Sequence, residues 1–137
     1  ICVGVADRML RDALRYASDR KQFGHAIAEF QLVQAMLADS KAELYAARCM
    51  TLDAAQRRDR GENVSTEASC AKLFASEMCG RVADRAVQVF GGAGYMAEYG
   101  IERFYRDVRL FRIFEGTSQI QQLLIARNMM KGDSRGG

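Results

Sequence analysis

The sequence predicts an all-α fold, an antiparallel helical bundle of three long helices plus two shorter ones in a single domain over residues 1–137. Three observations predict it. None of the 137 residues is proline, the residue that helix interiors exclude because it lacks an N–H and clashes with the preceding turn. Apolar residues recur at three- and four-residue steps through most of the chain, the spacing of one helix face. Glycines gather at Gly91, Gly92, Gly94, Gly100, Gly116, Gly132, Gly136 and Gly137, where they punctuate helical segments.

The first helix, about Val3 to Arg20, places Val5, Met9, Leu10, Ala13, Leu14 and Ala17 on one stripe. Its periodicity stops in Arg20-Lys21-Gln22-Phe23-Gly24-His25. The second, about Phe30 to Arg60, alternates steps of four and three through Val33, Leu37, Ser40, Leu44, Ala47, Thr51 and Ala54, the seam of a bundle helix. Gly61-Glu62-Asn63 ends it. Ser65 or Thr66 is an N-cap candidate for the third helix, whose Ala71, Ala75, Met78, Val82, Ala86 and Val89 share a face before Gly91-Gly92 stops it. A loop from Gly94 to Gly100 leads to a shorter helix, about Ile101 to Phe111. The last helix starts near Thr117 or Ser118, where Ser118 and Gln121 have capping-box spacing, and takes its apolar positions from Ile120, Leu123, Leu124 and Met129. Residues Asp133 to Gly137 read as frayed. No segment alternates with period two, so no strand is expected.

The composition, 49% hydrophobic and 27% charged, is that of an ordinary globular domain. A net charge of +3 is too small to predict nucleic-acid binding. No apolar run approaches the ~20 residues of a membrane span. Cys2, Cys49, Cys70 and Cys79 form no C-x-x-C pair, and they read as free, buried thiols in a reducing compartment. A single histidine, His25, excludes metal sites built on several histidines, and no metal is expected. The chain opens at Ile1 inside a helical pattern, as a piece of a longer protein would.

Taken alone, Gly91-Gly92-Ala93-Gly94 is a helix stop and turn, because a helix precedes it and no Walker lysine follows. Arg103, Arg106, Arg109 and Arg112 drift around a helix, interleaved with Glu102 and Asp107, as a salt-bridged surface or interface would. The chemically richest stretch is Ile113-Phe114-Glu115-Gly116-Thr117-Ser118. Burial against Ile113 and Phe114 would raise the pKa of Glu115, while a helix N-terminus beside it would favour the anion. Such a carboxylate is either a base or an acidic residue helping to cap the last helix.

These motifs together resemble a known family. Arg20-Lys21-Gln22-Phe23-Gly24, Gln31, Gln88-Val89-Phe90-Gly91-Gly92-Ala93-Gly94-Tyr95, Arg106-Asp107, Phe114-Glu115-Gly116-Thr117-Ser118-Gln119-Ile120-Gln121 and Ala126-Arg127 follow one another in the order and at the separations of the C-terminal helical domain of acyl-CoA dehydrogenases. The likeness runs from about Gly4 to Lys131.

The resemblance implies a flavoprotein oxidoreductase of fatty-acid β-oxidation, usually a homotetramer, that holds FAD and an acyl-CoA substrate. Glu115 matches the base that removes the α proton of the thioester while the β hydrogen leaves as hydride to the flavin, giving a trans-2-enoyl-CoA. Arg20, Gln22 and Phe23 match a segment reaching the FAD pyrophosphate and adenosine of a neighbouring subunit, with Gln31 near that contact. Gln88 and Gly92 match the turn that receives the adenine end, Thr117 and Gln119 match FAD-contacting positions, and Gly116 matches a substrate contact. Electron-transfer flavoprotein is the implied acceptor, in the bacterial cytoplasm or the mitochondrial matrix. The carboxylate is expected to face a groove walled by the glycine turn and the final helix. Phe114 stands where the family often has tyrosine. The family's N-terminal helical and β domains lie outside this sequence, so little or no dehydrogenase activity is expected of the chain in isolation. Two alternatives stay open: a non-catalytic assembly module of the same fold, and a flavoprotein oxidase that uses oxygen.

Overall fold

A computed structural model describes residues 1–133. It is all-α in its core. Five helices run Cys2–Asp19 (α1), Gln31–Asp59 (α2), Ser65–Phe90 (α3), Ile101–Val108 (α4) and Ser118–Asp133 (α5). Helix α3 is the central column and packs against all four others. Its Ala71, Ala75, Met78, Val82, Ala86 and Val89, the face expected from spacing, are all buried. Small side chains on that face let Met9, Ala13 and Ala17 of α1 and Leu44 and Ala47 of α2 close into one apolar cluster. Among the described residues no helix is long and apolar enough to cross a membrane.

Helix-face details depart from the expected stripes. Leu14 is 52% exposed, and Ala6 takes its place in the core. In α2, Ser40, Leu44, Ala47 and Ala54 are buried, but Thr51 is exposed and returns its hydroxyl to the Ala47 carbonyl at 2.8 Å. Helix α4 stops at Val108, and Arg109–Arg112 tightens into a 3₁₀ turn. Two further 3₁₀ turns, Gly91–Tyr95 and Ala97–Tyr99, occupy most of the expected loop. Ile120, Leu123 and Met129 of α5 remain exposed. Asp133 still belongs to α5, and the remainder of the tail expected to fray lies outside the described residues.

The expectation of no strands is corrected by a minimal hairpin. Lys21–Gln22 (β1) pairs antiparallel with His25–Ala26 (β2) around Phe23 and Gly24. Both tip residues have positive φ, 53° and 83°, the requirement of a two-residue turn whose twist matches its strands. Strands of two residues are too short to alternate visibly, so the X-Gly dipeptide is the only signal the sequence carries for them.

The caps also differ. Helix α3 begins after Val64 without a side-chain cap, and the Ser65 and Thr66 hydroxyls instead accept hydrogen bonds from Asn128 of α5. At α5 the cap is Thr117, whose Oγ1 accepts the Ile120 N–H at 3.3 Å. Ser118 and Gln121 are drawn away to other partners. Of the four free cysteines only Cys79 is buried and Cys49 is exposed, which corrects the expectation of buried thiols. A hydrogen bond between Cys2 and Cys79 brings the Cys2 pKa down to about 7 and pushes that of Cys79 up.

Glu43 ties α2 to α3, accepting hydrogen bonds from Arg81 at 3.1 Å and Arg85 at 3.1 and 3.3 Å. Burial raises the Glu43 pKa, but the two guanidinium groups outweigh it and hold the carboxyl below its usual value. Glu43→Gln keeps the shape and removes the charge, and it should cost roughly 1–2 kcal/mol near neutral pH by urea denaturation. A depressed folded-state pKa gives stability that is present above the unfolded carboxylate value and is lost as pH falls through the folded one. The variant and parent curves should therefore converge in that acidic window.

Candidate active site

The expected site residues fall into two clusters at different levels of α3. The first lies at its C-terminal end. Phe90 stacks on Tyr16 with ring centroids 4.1 Å apart, and Tyr99 meets both rings edge-on. These rings, with Arg20, Gln22, Gly91, Gly92 and Met96, line an open groove of about 540 Å³. Arg20 and Gln22 stand at the end of α1 and in β1, so the hairpin carries both to the groove. The glycines divide their roles. A Cβ on Gly94 would sit 2.6 Å from the Val87 carbonyl oxygen, so packing against α3 demands glycine there. A Cβ on Gly92 would meet nothing within 4 Å, leaving its backbone open to the groove.

Three other expected residues are exposed outside that lining. Phe23 is at the hairpin tip, 90% exposed, with only an edge contact to Phe30. Gln31 opens α2, and Gln88 sits in the last turn of α3. A larger recess of about 820 Å³ opens beside α4, with Val5, Phe104, Leu110 and Ile113 in its wall beside Arg106 and Arg109. Of the arginine series only Arg112 makes an ion pair among the described residues, to Glu77 at 3.2 Å, so the expected salt-bridged surface forms at one position.

The second cluster is the turn between α4 and α5. Glu115 has φ 53° and Gly116 φ 85°, two consecutive left-handed residues. Among the described residues, Phe23 and Glu115 are the only non-glycine positions with positive φ. Such a conformation costs about 1–2 kcal/mol for a residue with a Cβ and persists only where its surroundings enforce it. The Glu115 side chain is exposed, not buried against its neighbours: Ile113 is itself half exposed, and Phe114 turns to stack on Phe111 at 5.5 Å. The Glu115 N–H donates to no other described residue.

The surroundings come from α3 and α5, through residues that sequence reasoning missed as site components. Lys72 Nζ donates to the Phe111 and Gly116 carbonyls at 3.0 and 2.6 Å. Gln121 Nε2 donates to the Glu115 carbonyl at 3.3 Å. Glu77 accepts from Ser118 at 2.6 Å and from Arg112 at 3.2 Å, joining both flanks of the turn. Nothing in local spacing links positions 72 and 116; only the paired helices bring them together.

The groove expected between the glycine turn and the final helix is not formed by those two elements within one chain. Lys72 holds the Glu115 turn, whereas the glycine turn follows Phe90, about 27 Å farther along α3 at 1.5 Å per residue. Arg20, Gln22 and Gly92 are thus brought together, as are Glu115, Gly116, Thr117 and Gln119, but the two sets are not.

A model of the acyl-CoA dehydrogenase C-terminal domain matches residues 1–130. Over 131 residues the chain is 50% identical to a Bacillus subtilis protein named probable acyl-CoA dehydrogenase YngJ, covering 96% of the chain and 34% of that protein. Over 129 residues it is 47% identical to the caffeyl-CoA reductase-Etf complex subunit CarC of Acetobacterium woodii, covering 94% and 34%. The solved FAD complex of PigA superposes with a TM-score of 0.90 at 37% identity, over 93% of the chain and 33% of that protein. The chain therefore spans about a third of the length of the relatives it matches.

If the left-handed turn stores strain, Glu115→Gly should be more stable than Glu115→Ala by about 1 kcal/mol in thermal unfolding, since the two differ only by the Cβ. Equal stabilities would mean that the turn is unstrained.

Proposed function

The chain belongs to the acyl-CoA dehydrogenase family, matching its C-terminal domain, and we propose that it is the base-bearing helical domain of an FAD-dependent enzyme in which Glu115 removes the α proton of an acyl-CoA thioester. The observation that carries this reading is the enforced left-handed Glu115, with its carboxylate exposed and its N–H uncommitted. A residue whose only duty was to cap α5 would need neither, and Thr117 already performs that duty.

The two free groups of Glu115 match the two demands of the reaction. A proton α to a thioester is weakly acidic until negative charge can move onto the carbonyl oxygen. The Glu115 N–H is a donor for that oxygen, and one donor of this kind contributes about 2.7–4 kcal/mol in other systems. The carboxylate takes the α proton and becomes the acid. FAD, when bound, supplies the acceptor for the β hydrogen as hydride, which leaves a trans-2-enoyl thioester. In the reductive direction the protonated Glu115 returns the same proton to the α carbon, so one residue serves dehydrogenation and reduction alike. Thr117 accepts from Ile120 and keeps its own hydroxyl proton to donate to the cofactor, with Gln119 beside it and Gly116 on the substrate side.

The residues at the far end of α3 fit the remainder of the cofactor. Arg20 offers a planar fork for a diphosphate, Gln22 offers an amide, and Gly92 presents open backbone in the same groove. The distance from that groove to Glu115 supports a site shared between protomers, with Arg20, Gln22, Phe23, Gln31, Gln88 and Gly92 serving the neighbour's FAD. Electron-transfer flavoprotein is the proposed acceptor. An acceptor comparison against oxygen distinguishes the oxidase alternative.

Glu115→Gln in the FAD-loaded protein that carries this chain should lower turnover by about 10²–10⁴-fold while visible flavin absorbance is retained. Turnover near the parent's would remove Glu115 from the role. Arg20→Ala should instead lose flavin absorbance on gel filtration while the helical circular dichroism is kept.

A further inference from the structure

We propose that Lys72 is the positioning residue for Glu115: its ammonium, held by α3, pins the backbone on both sides of the proposed base and fixes the left-handed turn. The inference rests on the reading of Glu115 as the base and assigns a role to a residue that lies 43 positions away in sequence and outside every motif that carries the family resemblance.

Lys72 is half-buried, and among the described residues it makes no ion pair. A partly buried cation without an anion is unfavourable unless its protons are satisfied. Here two of its three protons go to the Phe111 carbonyl at 3.0 Å and the Gly116 carbonyl at 2.6 Å. Phe111 lies in the 3₁₀ turn four residues before Glu115, and Gly116 directly follows it. In an irregular turn such carbonyls have no helical partner, and they need a donor from elsewhere. One ammonium therefore closes a loop of six residues with Glu115 inside it. Gln121 adds a longer bond, 3.3 Å, to the carbonyl of Glu115 itself. Glu77 binds Arg112 and Ser118 farther out, so it holds the flanks and does not bracket the base as closely. Both hydrogen-bond acceptors of the ammonium lie in the segment that leads into and through the turn.

The test pairs Lys72→Met, which keeps length and apolar stem, with Lys72→Arg, which keeps charge and donors. In the FAD-loaded protein Lys72→Met should lower kcat about 10- to 100-fold, the effect of a misplacement on the order of 1 Å, while KM moves by less than about threefold because the groups of Glu115 act most strongly on the charge that develops in the transition state. The kinetic isotope effect with α-deuterated acyl-CoA should rise as proton removal becomes limiting, and Lys72→Arg should recover most of the rate. The second readout needs no substrate: in nitrogen-15 spectra of the substrate-free protein that carries this chain, selectively labelled, the Glu115 and Gly116 amides should shift or split in Lys72→Met while core amides such as Val82 stay in place. Unmoved Gly116 signals, or a shifted turn with unchanged kcat, would overturn the proposal. Should Lys72→Met fail to fold, Lys72→Leu, which likewise has no donor, takes its place with the same two readouts, and the same results support or overturn the role. An active Glu115→Gln enzyme would overturn the base reading separately, because the amide spectra report on the turn whichever residue moves the proton.

Discussion

Backbone carbonyls in a left-handed turn need donors, and in this chain the principal donor is a lysine on the central helix. Lys72 bonds to Phe111 and Gly116 and Gln121 to Glu115, which together make a conformation that Glu115 would not hold unaided into the stable one. The rest of the architecture serves that arrangement. Helix α3 can act as an anchor because its opposite faces are locked by small-residue packing against α1 and α2 and by the Glu43 bridge to Arg81 and Arg85. Helix α5 runs back along α3 from Ser118, bound to Glu77, to Asn128, bound to Ser65 and Thr66. The turn is therefore fastened at its start, its middle and its exit.

Much of this fold can be read directly from the sequence. The buried face of α3 is legible residue by residue because a central helix must be apolar along a continuous stripe. Helices at the edge obey the rule less strictly: Leu14 points out of α1 and Ala6 points in, since close approach to α3 favours the small side chain. The β1–β2 hairpin is invisible because four residues of strand carry no period. The α5 cap lies one position before the residue that spacing favours, because Ser118 and Gln121, which have the right separation for a capping box, are both claimed by tertiary partners. The same cause hides Lys72. A long-range bond from a lysine to two carbonyls leaves no pattern in the sequence, whereas the motif Phe114-Glu115-Gly116-Thr117-Ser118 marks the turn that it holds.

Two non-glycine residues with positive φ, Phe23 and Glu115, are each followed by a glycine with positive φ. Both lie in segments that carry the family resemblance, one beside the Arg20 groove and one in the turn between α4 and α5. Backbone strain of this kind clusters at functional sites, and among the described residues its non-glycine instances fall in these two motif-bearing turns. It also separates the two turns physically. The Phe23 turn is held by its own hairpin, a local device, while the Glu115 turn depends on contacts with α3 and α5. A turn that projects a residue outward can be built locally; a turn that must hold a carboxylate to within a fraction of an ångström needs a rigid helix behind it.

The separation of the two clusters, roughly 20–27 Å along α3 from the Glu77 and Lys72 anchors of the turn to Phe90, carries a consequence for assembly. If each FAD is held at one end by the Arg20 groove of one protomer and at the other by the Glu115 turn of its neighbour, cofactor binding and association are linked equilibria. A ligand that binds only the assembled state stabilises it by mass action, and the assembled state in turn raises the affinity for the ligand. The exposed apolar residues of α5 and the open glycine backbone at Gly92 would then be features of an unfinished site, completed by a second chain and the cofactor together. Under the proposed reading, such coupling would place Glu115 beside the flavin only in the assembled protein, so that an isolated protomer would hold neither half of the site complete.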